Sequence, residues 1–273
     1  MKQNPFSFYD FLGYIIPGAC LLYLFYFGGL HYNWQEIIEI KSQLSTTNTS
    51  LGDLLNLFPL VIASYISGHA LSLLSSFAIE KYSNLINGYP SQYLISDTGK
   101  GFFYKSQLKS FIGRSLLVLA IIPISALDIL SRKWFRQNVK MDEKLLPSVF
   151  DTCKNLLNEK FDVDVASMDN STGLDGDSFR LIYHYSYENS EQHAAKMQNY
   201  VALYGFTRNI SIVSVIVFWQ LIIMKFYFKE NIGTLPILIS IFSAFIFYKG
   251  FVKFYRRFTL EAMMAACAIK AKV

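Results

Sequence analysis

The chain has 273 residues, 52% hydrophobic and only 16% charged, with a net charge of +5. Soluble domains usually carry roughly 25% charged residues, so composition argues against both an ordinary water-soluble domain and a disordered segment. Cys20, Cys153 and Cys267 lie far apart without CxxC spacing, which argues against a disulfide scaffold and predicts free thiols.

The first apolar run, Phe11 to Leu30, holds no charged side chain. It is longer than a signal-peptide core, and its aromatic end, LLYLFYFGGL, lacks a small-residue cleavage pattern, so it reads as a retained helix. Ser7-x-x-Asp10 before it resembles a helix start, with the acid at the positive end of the helix dipole. The other reading of Asp10 is a functional intramembrane ionisable group. Pro17-Gly18 predicts a kink, because proline lacks one helical donor and clashes with the preceding turn; a gating hinge is the sharper reading.

The segment from His31 to Asp53 sets one Lys41 among Glu36, Glu39 and Asp53 and is rich in Ser, Thr and Asn. It reads as external under the rule that basic flanks stay inside. Leu54 to Ile79 is again free of charge. Along it runs a stripe of small and hydroxylated residues, Ser64, Ser67, Gly68, Ser72, Ser75 and Ser76, with His69 beside it. At helical spacing Ser64, Gly68, Ser72 and Ser75 share one face. Such faces either let helices approach closely or line wet pores, and these four with His69 are the pore-lining candidates. Four helices alone enclose no aqueous path, so conduction would need several copies. Gln220, in the third long run, is a plausible polar partner for His69.

After the second run come Lys81, Lys100, Lys105, Lys109 and Arg114, which read as internal. Ser115 to Leu127 is an apolar stretch that is short for a span and more typical of a core or re-entrant helix. A crossing there would place Arg132, Lys133, Arg136 and Lys140 outside. The expectation is that it does not cross, and that it forms the core of an inserted cytoplasmic domain or lies in the interface. Lys100, Lys105, Lys109, Arg132, Lys133 and Arg136 are interleaved with Phe102, Phe103, Tyr104, Phe111, Trp134 and Phe135. That mixture suits an anionic, stackable ligand such as a nucleotide or oligonucleotide; the alternative is contact with anionic lipid headgroups.

Met141 to Gln192 carries 11 acids against 4 Lys/Arg, a net of −7, while the remainder has a net of +12. Asp142 is placed to cap a helix whose Leu145, Leu146, Val149, Phe150, Cys153, Leu156 and Leu157 recur at helical spacing. DVDVASMDNSTGLDGD is a loop by composition. Its aspartates, Asp162, Asp164, Asp169, Asp175 and Asp177, miss the calcium-loop register because Gly173 and Gly176 fall out of step. From Ser178 a helical run is expected to pass unbroken into the third span.

Asn209 to Met224 and Ile232 to Tyr248 are the last two apolar runs, with Lys249, Lys253, Arg256 and Arg257 following. Each long run must be a helix, because lipid offers no partners for free backbone groups. DTGKG (97–101) lacks the phosphate-loop frame, His184 and His193 lack HExxH spacing, and no nucleophile motif stands out. No enzyme, metal or cofactor is expected.

The expected fold is thus an all-α membrane protein with four spans, about 8–30, 54–79, 207–228 and 232–250, arranged as two hairpins. The partition is 1–80, a mainly helical cytoplasmic domain at 81–206, 207–250 and a cytoplasmic helix at 251–273, with both termini inside.

Phe8-Tyr9-Asp10 leading to Pro17-Gly18, and Tyr204-Gly205-Phe206-Thr207-Arg208-Asn209 entering a late span, form a pattern. With the span–domain–span layout, it resembles small multi-spanning effectors of bacterial antiphage defence, such as the channel-like subunits of the Hailong and Kiwa systems. The resemblance implies a homo-oligomer, a tetramer at a guess, in the bacterial inner membrane. Its cytoplasmic domain would answer to a partner protein or nucleotide signal, and release would permeabilise the bilayer. A non-conducting sensor or scaffold subunit is the alternative.

Overall fold

The structure, a computed structural model, describes residues 8–45, 50–96, 108–132 and 139–271. Those residues form helices and no strand. A short α1 (Phe8–Asp10) enters a π turn (Phe11–Ile15) and continues as α2 (Ile16–His31). After α3 (Gln35–Ser45), α4 (Ser50–Ser75) runs through a second π turn (Ser76–Glu80) into α5 (Lys81–Asn87) and the single-turn α6 (Pro90–Tyr93). Then come α7 (Leu108–Ala120), α8 (Ile122–Ser131), α9 (Leu146–Phe161) and α10 (Gly176–Asn189). The chain ends in two long antiparallel helices, α11 (Glu191–Phe226) and α12 (Thr234–Lys270).

Four helical stretches are long and apolar enough to cross a membrane: Phe11–His31, Phe58–Tyr93, Glu191–Phe226 and Thr234–Lys270. The last two are 36 and 37 residues, about 54 Å at 1.5 Å per residue. A hydrocarbon core is only about 30 Å thick, so each projects well beyond it.

Two main cores result. Leu71, Ile79, Tyr82, Ile121, Ile124, Ile212, Val215, Ala244 and Tyr248 belong to a cluster built by the spans together with α8. Tyr93, Leu94, Val149, Phe150, Cys153, Leu157 and Ile182 pack around the far end of α12, through Met263 and Ala266. Residues beyond 250 therefore share the core of α9 and α10. Segment 115–127 joins the cluster of the spans and not that of α9 and α10. This corrects the expectation that it supplies the core of the inserted domain.

Three local readings are also corrected. Asp142 holds a turn before α9, accepting from Lys144 N–H through Oδ1 (2.9 Å) and from Leu146 N–H through its carbonyl (2.9 Å). The helix starts at Leu146, where Pro147 tolerates the unpaired first turn. The cap of α10 is Asp175, which accepts from Ser178 N–H at 2.7 Å. The run from Ser178 does break before the span: Ser190 is extended (φ −152°, ψ 104°) and separates α10 from α11.

Candidate functional site

The two ends of the spans are marked by polar latches. At one end lies a buried knot joining three of the four spans. Pro17 has no N–H to give to the carbonyl of Gly13, four residues earlier. Asn209 Nδ2 donates to that carbonyl instead, at 2.7 Å. Asn209 Oδ1 accepts from the hydroxyl of Ser75. Beside it, Arg208 Nη1 pairs with Glu80, and Nη2 donates to Ser72 Oγ at 3.0 Å. The Arg208 side chain is 10% exposed and that of Glu80 26%. Both π turns border the knot, a placement common where a helix is bent to serve a site. Glu80 also lines an open cleft of about 440 Å³ with Ser76, Lys81, Asn84, Leu85 and Tyr89.

At the opposite end, His31 Nε2 lies 2.8 Å from Glu230 Oε2. This ties the exit of α2 to the turn between α11 and α12. The helical path from Gly13 to His31 is about 27 Å long at 1.5 Å per residue. The two latches thus stand one hydrocarbon thickness apart.

Close to the knot is a second ionic cluster. Tyr82, just after Glu80, lies with its hydroxyl 3.4 Å from Asp128 Oδ2 on α8. Asp128 is buried and pairs with Lys249 Nζ at 2.7 Å and Arg132 at 3.2 Å. A buried carboxylate is stable only when so paired. Asp128 therefore fastens α8 to the end of the fourth span.

The pore candidates are placed as follows. Ser64 is buried, and its hydroxyl donates to Leu60 carbonyl at 2.7 Å. A Cβ on Gly68 would stand 2.1 Å from Tyr14 carbonyl oxygen, and one on Gly18 would stand 1.8 Å from that of Ser64. Only glycine lets α4 and the first helix touch here. Within one protomer this face is a closed seam between helices, with no room for water. Ser72 and Ser75 serve the knot. His69 is exposed, with its ring stacked on Tyr14 at 3.9 Å and edge-on to Tyr65. Gln220 does not meet His69; its Nε2 lies against Gly28.

Of the anionic-ligand candidates, Arg132 is engaged by Asp128. Lys100, Lys105, Lys133 and Arg136 lie outside the described residues, as does the side chain of Lys109. Asp164 and Asp169 accept from Ala166 and Ser171 N–H groups in local turns. Among the described residues no three His, Cys, Asp or Glu side chains gather as a metal site.

The sequence marks Arg208 and Lys249 as flanking charges and Arg208-Asn209 as part of the resemblance, but gives Glu80, Asp128, Arg208 and Asn209 no role as partners. The available signal was a lone charge at the same end of several apolar runs. The segment around Tyr9 and Gly13 and the segment from Tyr204 to Asn209 are in contact: a Cβ on Gly205 would stand 3.5 Å from the Tyr9 ring, and Asn209 bonds Gly13. No family model, characterised protein or solved structure matches the chain.

Proposed function

We propose that the chain is a membrane effector that works as a homo-oligomer, opening a path for ions between its copies. The switch is the helical region of α9, α10 and the projecting ends of α11 and α12. One observation carries this reading: α11 and α12 continue without a break from the core around Met197 and Met263 into the spans. A displacement of α9 and α10 would therefore travel along rigid rods past the Arg208–Glu80 knot.

Two further features support it. Arg208 Nε has no acceptor among the described residues, and Glu80 borders an open cleft, so the knot has room for a second arrangement. On the side of α4 exposed in one protomer, His69 is the one polar residue between Phe58 and Phe77. It is the side chain a path between copies would expose, within walls apolar enough to gate by dewetting. The resemblance supplies the setting: a bacterial inner membrane, with both termini and the helical region in the cytoplasm. The trigger would be a partner protein, nucleotide or oligonucleotide.

A second reading, a non-conducting scaffold or sensor that recruits a cytoplasmic partner, is favoured by the closed α2–α4 seam. Planar-bilayer recording on the purified protein separates them. Unitary conductance that His69→Ala alters supports the channel. A well-folded oligomer that stays silent with nucleotides and oligonucleotides overturns it in favour of the scaffold.

A further inference from the structure

α7 and α8 meet at a bend of 97°. Pro123, second in α8, brings no N–H to continue the helix. The carbonyls freed at the break are filled from within the protein. Ser125 Oγ donates to Val118 carbonyl at 2.9 Å, and Trp219 Nε1 donates to Ala120 carbonyl at 2.7 Å. In water a solvent molecule would serve at no cost; in lipid the protein must supply the donor itself.

The pair is apolar on its outside and polar within. Phe111, Ile112, Leu116, Leu119, Ile129 and Leu130 are 47–69% exposed. From Phe111 to Leu130 the exposed residues are apolar, Arg114 and Ser115 are half-buried, and Ser125 and Asp128 are buried. A helix in water shows the reverse.

Depth follows from the neighbours. Asp128 pairs with Lys249, beside the knot that marks one end of the spans. Ala120 is held by Trp219 of α11. Trp219 lies about 16 Å along that helix from Arg208 at 1.5 Å per residue, near the middle of a core about 30 Å thick.

We infer that α7–α8 is a re-entrant wedge filling one leaflet, the leaflet on the side of Glu80 and Lys249, with its outer face covered by acyl chains of that leaflet. The bend sits near the midplane. Arg132, whose side chain is 43% exposed, stands at the open end, at the height of the headgroups. A wedge in one leaflet also makes the protein sensitive to lipid packing on one side of the bilayer. This inference is independent of conduction.

Photo-crosslinking in the full chain tests it. A benzophenone amino acid replaces Leu116, and separately Leu130, in protein reconstituted in phosphatidylethanolamine–phosphatidylglycerol vesicles; Asp151 on α9 is the reference. Expected is a phospholipid mass adduct at both positions and its loss at Asp151. A protein–protein dimer as the main product at Leu116 and Leu130 would instead assign the face to a second copy and overturn the inference. So would the absence of lipid adduct at both, since water alone would then cover the face. Lys109→Cys, at the start of α7, and Arg132→Cys, labelled with an impermeant maleimide, must react from the same side. Reaction from opposite sides would make the pair a broken full span.

Discussion

α9 and α10 on one hand, and α7 and α8 on the other, are helices of similar length lying between the same two spans, with opposite outsides. The exposed positions of α10 are Gly176, Asp177, Arg180, His184, Glu188 and Asn189, while those of α7–α8 are almost wholly aliphatic or aromatic. Their insides differ as well. Val149, Phe150, Cys153, Leu157 and Ile182 bury no charge, whereas the cluster around the spans encloses Ser75, Asp128, Arg208, Asn209 and Ser211. The pattern of exposure therefore reports the solvent each helix meets. In water apolar groups gain by leaving the surface; in lipid they gain nothing by burial, and helices are held by small residues and polar bonds.

The largest expected effect tests the polar inside of the spans. Arg208→Met should lower stability by about 3 kcal/mol, because it leaves the Glu80 charge uncompensated in a mostly buried site. Glu80→Gln should cost somewhat less, as Glu80 borders the cleft. Thermal unfolding in detergent measures both, and the double variant should lose less than the sum. Additive losses would mean the pair is not coupled.

Next comes one chemical change in two solvents. Leu157→Ala in the core of α9 should cost about 3 kcal/mol. Leu116→Ala on the outside of α7 should stay within about 0.5 kcal/mol, since lipid refills the space. Equal costs would break the comparison. Gly68→Ala should cost about 2 kcal/mol by forcing the first helix off α4. Purified Gly68→Ala should show faster proteolysis at unchanged expression; unaltered behaviour would rule out the tight seam.

The smallest effect concerns Cys153. Burial, and then the nearby Cys267, push its thiol up to about 12. The unfolded chain ionises first, near pH 8.5. The contribution is therefore complete below that pH and lost as pH rises toward 12. Folded protein should resist iodoacetamide at Cys153 at pH 8, and Cys153→Ala should flatten the fall in unfolding midpoint between pH 8 and 10. Rapid alkylation of the native protein would place this thiol outside the dry core.

The four long apolar helices were legible from charge-free runs, because a bilayer demands an unbroken apolar length that few other structures need. The buried positions of α9 were legible too, from helical spacing. The knot was not. Glu80 and Arg208 stand on helices far apart in the chain, and a contact between distant helices leaves no period in either. The break at Ser190 had a local sign, a serine followed by Glu191 as at a helix start, but the polar run on both sides masked it. The seam was half visible: glycine and serine spacing identified the face of α4, while the approach of Tyr14 to Gly68 and of Ser64 to Gly18, which packs that face within one protomer, left no mark in the sequence.

Pro17 has a consequence for how the chain is made. During synthesis the first two spans are complete well before residue 208 leaves the ribosome. Until then the bilayer holds a hairpin with the Gly13 carbonyl lacking its side-chain donor and the Glu80 carboxylate lacking its counter-charge. The third span answers both needs with adjacent residues, Asn209 and Arg208. One pair of adjacent residues thus completes both spans of the first hairpin, and the proline that withholds a donor from Gly13 makes the third span part of the first helix's own hydrogen bonding.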